Sequence, residues 1–495
     1  MRISHFSAFS MLNQMLVSYR VPSNINYFWS FGILAGLALV IQLITGIALA
    51  MHYTPHIDLA FISVDHIMRD LQYGWLLRYL HSNGASFFFI VVYAHIFRGL
   101  YYGSYVYPRQ LVWVIGCVIY VAMMAVAFLG YVLPWGQMSF WGATVITNFF
   151  SVIPFFGKDV VEWLWGGFSV SNATLNRFYS LHYFLSFVIV GLSGLHLIVL
   201  HNHGPNNPLG IKSVDNIAFY PYYYVKDLIA VNLYLIAYLF FVFFSPETLG
   251  HPDNYIPANP MVTPPSIVPE WYFLPMYAIL RSIPHKTGGV IAMGMAVVVL
   301  FLVPLLSQPL IRSGKFRPFF AIFYWLFVVD CFLLGWAGCN HIESPWIEVG
   351  MGATLYYFAF FFVILPVSVM IDNAYLEELY WNSIPVRFNS VSRKSYKPIV
   401  APAAVVKRDM SNFPYLRHTS STNAYTNTLG TKGAYFKTKL WQERVLTDMG
   451  ARVDRRFKPI GYSRAIGFYF WSHTVHYNRY RVDYDWSDVL EYFEI

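Results

Sequence analysis

Eight predominantly apolar stretches, at about 29–52, 76–101, 111–133, 175–200, 226–245, 288–308, 318–337 and 349–371, limit what this chain can fold into. Each approaches the ~20 residues that an α-helix needs to cross a hydrocarbon core, where every backbone N–H and C=O must be satisfied within the segment. With 57% of residues hydrophobic and only 12% charged, an ordinary globular fold is excluded, and lipid must cover the outside. The expected fold class is therefore an all-α polytopic membrane protein with eight transmembrane helices. Arg2 and Arg20 frame no short apolar core with a small-residue cleavage site, so no signal peptide is expected. Cys117, Cys331 and Cys339 have neither metal-ligand spacing nor an even count, which argues against an iron–sulfur cluster and against a disulfide framework.

Charge sets the orientation. The short connections on the side of the N-terminus carry Arg109, Lys212, Arg312, Lys315 and Arg317. Those on the other side carry Asp58, Asp65, Asp70, Asp159, Glu162, Glu247, Asp253, Glu343 and Glu348. The excess of Lys and Arg in short loops places both termini on the negative, matrix or cytoplasmic side. Two longer connections lie on the positive side. One, at about 134–174, holds Trp135, Trp141, Trp163 and Trp165 and reads as short interfacial helices. The other, at 246–287, holds Pro246, Pro252, Pro257, Pro260, Pro264, Pro265 and Pro269, a stiff track suited to the rim of a pocket. Beyond Tyr380 there are 18 Lys and Arg against 9 Asp and Glu, with Trp471, Tyr477, Tyr480, Tyr484 and Trp486 among them. This basic, aromatic-rich segment is expected to dock on a partner or on lipid rather than on nucleic acid, because its basic residues form no compact motif.

Chemistry enters with four histidines. His81 and His95 lie in the second span, His182 and His196 in the fourth, each pair 14 positions apart. At ~1.5 Å per residue the members of a pair are about 21 Å apart and within about 40° of one helix face. Both spans run inwards from the positive side, so His81 meets His182 near the outer leaflet and His95 meets His196 near the inner one. A lone intramembrane histidine is usually a hydrogen-bonded packing residue. Four in matched register are better read as two pairs of axial iron ligands, which leave a porphyrin iron six-coordinate and suited to one-electron transfer. Gly32 and Gly46, and Gly116 and Gly130, repeat the same interval in the first and third spans, as clearance beside two broad plates would require. Arg78 and Arg98 flank the ligands towards the headgroups, where either snorkelling or pairing with haem propionates accounts for them. Arg177 and the run from Asn202 to Asn207 are further candidates for such contacts.

These histidines and glycines, the run Gly130-Tyr131-Val132-Leu133-Pro134-Trp135-Gly136-Gln137-Met138-Ser139, and Pro269-Glu270-Trp271-Tyr272 together resemble cytochrome b of the respiratory quinol:cytochrome c oxidoreductase, complex III, over about residues 20–375. Equal 14-residue intervals and fused fifth to eighth spans favour the respiratory type over the shorter plastid relative. The resemblance implies two haem b groups, the low-potential one held by His81 and His182 and the high-potential one by His95 and His196. It implies ubiquinol oxidation at an outer site, with Glu270 as proton acceptor and Tyr131, Tyr272, Gly142, Pro269, Phe273 and Tyr277 around it. Ubiquinone reduction would take place at an inner site with His201, Lys226 and Asp227. Pro205 and His203 depart from the family pattern there.

The division expected is an N-terminal segment 1–28, a di-haem four-helix bundle 29–210, a C-terminal transmembrane domain 211–375 with the outer loop 246–287, and an extension 376–495. Implied partners are the Rieske iron–sulfur protein, cytochrome c1, other complex III subunits, lipids and a second copy in a homodimer, in the mitochondrial inner membrane. The extension lies outside the resemblance and is expected to contact a protein on the negative side, within an enlarged complex or a supercomplex. Truncation at about residue 385 should then change subunit composition or supercomplex migration; no change in either would refute it. Two rival readings are weaker. A secondary transporter should show broken spans and mid-membrane acids, and another di-haem oxidoreductase such as a ferric reductase would lack the Glu270 loop and need a nucleotide-binding domain.

Overall fold

The computed structural model describes residues 13, 17–211, 213 and 215–383, with the side chains of 376–383 left aside. Lys212, most of residues 1–16 and the extension beyond Ser383 lie outside the described residues. In chain order the helices are α1 (Phe31–Ala50), α2 (Ala60–Arg69), α3 (Gly74–Tyr101), α4 (Gln110–Val132), α5 (Gln137–Thr147), α6 (Gly157–Trp165) and α7 (Asn172–His203). They continue with α8 (Tyr222–Phe244), α9 (Leu274–Ser282), α10 (Lys286–Leu306), α11 (Pro318–Cys339), α12 (Trp346–Ala359) and α13 (Leu365–Ser383). Among the described residues, eight helical stretches are long and apolar enough to cross a membrane, the last running from Trp346 to Tyr375 through α12 and α13. The fold is an all-α polytopic membrane protein.

Local chemistry explains the ends and irregularities. At the start of α7, the backbone N–H of Ser171 donates to Thr174 Oγ1 at 3.0 Å, joining the N-cap to the first turn. The last span is interrupted by a π-turn at Phe360–Ile364, which ends two residues before Pro366. Proline cannot donate to the carbonyl one turn back, and the wide turn absorbs the mismatch without breaking the span. At the inner edge, Arg317 Nε donates to Asp372 Oδ2 at 3.2 Å, with both residues 1% exposed, and Arg317 Nη2 donates to Ser368 Oγ at 3.3 Å. This pair latches the start of α11 to α13, and losing one partner would strand a buried charge at a cost of about 3–5 kcal/mol. At the other end of α11, Arg281 donates to the carbonyls of Ala337, Gly338 and Asn340, gathering the chain as it leaves the helix.

The expected spans hold, with boundaries longer by a few residues at several ends. The connection at 134–174 forms α5 and α6, as expected of interfacial helices. Three elements were not anticipated. Helix α2 occupies the first outer connection, and α9 forms inside the proline-rich track, where Pro275 sits in the first helical turn and so breaks no hydrogen bond. A short antiparallel ladder pairs β1 (Arg20–Pro22) with β2 (Asn216–Ala218), register Val21 to Ile217. Three-residue strands carry too little pattern to be read from sequence.

Candidate functional site

The closest packing partner of α3 is α1, and that of α7 is α4. The two histidine-bearing helices instead face one another across their rings. The ring centres of His81 and His182 are 6.2 Å apart, and those of His95 and His196 6.4 Å. A metal bound at about 2 Å to one nitrogen of each ring separates the ring centres by about 6.3 Å. Each pair is thus spaced for one shared metal atom. Thr45 Oγ1 gives its proton to the Ile41 carbonyl and accepts from His81 Nδ1 at 2.9 Å, while His182 Nδ1 donates to the Val126 carbonyl at 2.8 Å. Both outer rings therefore carry their proton on Nδ1 and keep the Nε2 lone pair free.

The glycine interval has a specific cause. A Cβ built on Gly46 would stand 3.0 Å from His81 Cε1, one on Gly32 3.4 Å from His95, and one on Gly116 3.3 Å from His196; one on Gly130 would overlap the His182 ring. The glycines clear space for the histidine rings themselves, one ring against each backbone, rather than only for a plate between helices. Arg98 leans on the inner pair, with Nη2 3.0 Å from His95 Nδ1 and its guanidinium over the Trp29 ring. Arg177 donates to the Trp163 carbonyl, Asn206 to the Tyr102 carbonyl and Asn207 to the Ile211 carbonyl, while Asn206 Oδ1 is buried with no partner among the described residues.

A cavity of about 550 Å³ opens at the level of the His81–His182 pair, the end expected to be outer, lined by His81, His182, Arg78, Tyr131, Glu270 and Tyr272 among others. Its size is that of a site for a small organic molecule. Glu270 ends the proline-rich track just before a short 3-10 turn at Trp271–Phe273. Burial pushes its carboxyl up to about 7, against the opposing pull of the Tyr131 hydroxyl and the Arg78 guanidinium. The buried Tyr131 hydroxyl lies beside this carboxyl and has no other partner among the described residues. Gly142, Pro269, Phe273 and Tyr277 do not line the cavity. A methyl on Gly142 would meet open space, and Tyr277 Oη ties down the Ile267 carbonyl at 3.2 Å. Sequence reasoning missed Asn254, whose Oδ1 accepts from Ser139 N at 2.9 Å and Ser139 Oγ at 3.0 Å. Gln137 continues the clamp, with its Nε2 donating to the Val262 carbonyl and its Oε1 accepting from Asn259 N. The Gly130–Ser139 run therefore braces the track that presents Glu270.

At the inner side, His201, Lys226 and Asp227 are not brought into mutual contact. His201 stacks on Tyr19 with ring centres 4.0 Å apart, Asp227 Oδ1 accepts from Ser30 Oγ at 2.8 Å, and Lys226 Nζ donates to the Ile25 carbonyl at 2.6 Å. All three lean on the segment from Tyr19 to Ser30, which sequence reasoning had left without a role. The Tyr19 hydroxyl and the Trp29 indole N–H are buried with no partner among the described residues. Burial holds the Tyr19 hydroxyl up at about 12, against the nearby Arg109. Its position just ahead of the first span was the only available signal.

The family described as cytochrome b/b6/petB matches residues 16–204, and that described as cytochrome b(C-terminal)/b6/petD matches residues 257–358. The cytochrome b of Marchantia polymorpha is 62% identical over 360 residues, covering 72% of this chain and 89% of the relative. That of Chondrus crispus is 58% identical over 369 residues, covering 74% and 97%. A chain from the solved structure titled "Hyperthermophilic respiratory Complex III" superposes with a TM-score of 0.71 at 35% identity, covering 75% of this chain and 98% of that one. About a quarter of this chain has no counterpart in these relatives. With two family matches and close relatives aligned over nearly their whole length, the chain belongs to the cytochrome b family, the membrane-spanning catalytic subunits of quinol:cytochrome c oxidoreductase.

Proposed function

We propose that α1, α3, α4 and α7 form a di-haem bundle, with His81 and His182 as axial ligands of the outer, low-potential haem b and His95 and His196 as those of the inner, high-potential one. The observation that carries this is the spacing of the two ring pairs, 6.2 and 6.4 Å. When bound, the two haems supply a one-electron path between the membrane faces. The chain's own residues supply the rest. Thr45 and Val126 hold the outer rings in the ligating tautomer. Arg98 must turn off His95 Nδ1 for that ring to ligate, and a propionate gives it an anion to turn towards. Arg78 plays the corresponding part at the outer level.

At the Glu270 end of the outer cavity, the part between His81 and His182 being what a haem would take up, Glu270 accepts a proton from ubiquinol and releases it to the positive side, while Tyr131 and Tyr272 wall the substrate from water. At the inner site, His201, Lys226 and Asp227, on the frame of Tyr19 and Ser30, deliver protons from the negative side to ubiquinone. The sum is quinol oxidation outside and quinone reduction inside, coupled to proton translocation. The bundle 29–210 and the domain 211–375 divide these tasks. The Rieske iron–sulfur protein and cytochrome c1 take the other electron, a second copy completes a homodimer, and the extension meets a further protein, in the mitochondrial inner membrane with both termini on the matrix side. A reduced-minus-oxidised optical spectrum of the purified complex, titrated against potential, tests the core of this reading. Two b-type haems per chain with distinct potentials are expected; one or none would overturn the ligand assignment.

A further inference from the structure

Helix α3 carries more than ligands. Ser86, Phe89 and Tyr93 lie on a second face, turned by about 130° from the mean direction of His81 and His95. Ser86 and Phe89 are 2% and 1% exposed. That face grips each residue of the turn that follows Glu270. Ser86 Oγ accepts from Trp271 Nε1 at 3.0 Å. The Phe89 ring stacks on Tyr272, with centres 4.0 Å apart and planes 4° from parallel, and meets Phe273 edge-on at 5.7 Å. Tyr93 Oη donates to the Tyr272 carbonyl. One turn above, Asn83 Nδ2 reaches the Pro246 carbonyl, at the start of the same loop, at 3.0 Å.

The hydroxyl bookkeeping gives a direction. A tyrosine has one proton to donate. Tyr93 spends its proton on the Tyr272 carbonyl, so Tyr120 Oη, 3.2 Å away on α4, must donate to Tyr93. Two buried hydroxyls from two spans thereby converge on one backbone carbonyl, two residues from the carboxyl of Glu270. The turn cannot shift without leaving one of the two buried hydroxyl protons without an acceptor.

We propose that Ser86, Phe89 and Tyr93, with Tyr120 behind them, are positioning residues for quinol oxidation: they fix the Trp271–Phe273 turn to the helix that bears His81 and so set the place of the Glu270 carboxyl. This rests on the assignment of quinol oxidation to the outer cavity. Phe89 also lines the outer cavity, whereas Ser86, Tyr93 and Tyr120 stand outside its lining and act through the turn.

The test uses the assembled complex carrying Tyr93→Phe, which deletes the hydroxyl and keeps the ring. The maximal rate of outer-site quinol oxidation should fall about five-fold, the factor carried by a single hydrogen bond, and its acid limb should move along the pH axis. The haem spectrum and the inner-site rate, followed as haem reduction by quinol with the outer site blocked, should stay native. Tyr120→Phe should act in the same direction and more weakly, and it carries the test if Tyr93→Phe does not assemble. A native outer-site rate and acid limb, or an equal loss at both sites, would overturn the proposal. Glu270→Gln, run alongside, separates the two layers. If it leaves outer-site oxidation native, the site assignment fails; if it slows oxidation while the tyrosine variants do not, only the positioning role fails.

Discussion

Alanine at Gly130 is expected to remove the outer haem and leave the inner one, halving the ratio of b-type haem to protein in the complex. The methyl group would overlap the His182 ring, which cannot retreat freely because its Nδ1 is bonded to the Val126 carbonyl. Metal–nitrogen bonds tolerate only about 0.2 Å of error, and a ring pushed by several tenths of an ångström no longer ligates. Gly32→Ala provides the contrast. Its methyl would stand 3.4 Å from the His95 ring, an ordinary contact, and both haems should be retained. Pyridine-haemochrome quantitation with a redox titration distinguishes these outcomes. Two haems with native potentials in Gly130→Ala would show that ring clearance is not what this glycine provides.

Glu270→Gln is expected to slow quinol oxidation by about 10²-fold, the lower range for loss of a general base, without changing haem content. The pH dependence gives a second signature. The acceptor must be ionised to take a proton, and burial has raised this carboxyl from the ordinary 4.5 to about 7. The native rate should therefore climb as pH rises through about 7 and level off above it, with only about a tenth of the sites ionised at pH 6. An unperturbed glutamate would put this limb near 4.5. In Glu270→Gln the limb should vanish, because the amide does not titrate in this range. A limb that persists near 7 in the glutamine variant would assign it to another group.

Much of this was legible in the sequence because the bilayer enforces it. A span cannot be shorter than the hydrocarbon core, so hydropathy finds it, and a 14-residue interval places two rings at two depths whatever the tertiary detail. The four histidines are therefore paired as their numbering implies. The reason for the glycines was harder to see, since a missing side chain does not announce which neighbour needs the room. The inner site was read less completely. His201, Lys226 and Asp227 each turn to a residue between Tyr19 and Ser30, and contacts across 182 to 201 positions leave no periodic trace. Asn254 and helix α9 were hidden in the same way, by a track whose prolines suggested no regular structure. The grip of α3 on the outer turn was hidden because Ser86, Phe89 and Tyr93 look like ordinary residues of an apolar span.

The ladder between β1 and β2 also bears on the order of biogenesis. Residues 20–22 emerge before the first span, but their partners at 216–218 emerge only after the fourth. All four histidines and all four glycines lie upstream of that second strand. On the proposed ligand assignment, a nascent chain with four inserted spans already contains all four residues that would grip iron at both depths, while the proposed inner quinone pocket still lacks Lys226, Asp227 and the strand that holds Tyr19 in place. Cofactor capture can thus precede closure of the inner pocket, and an intermediate stalled at that stage would be coloured but unable to reduce quinone.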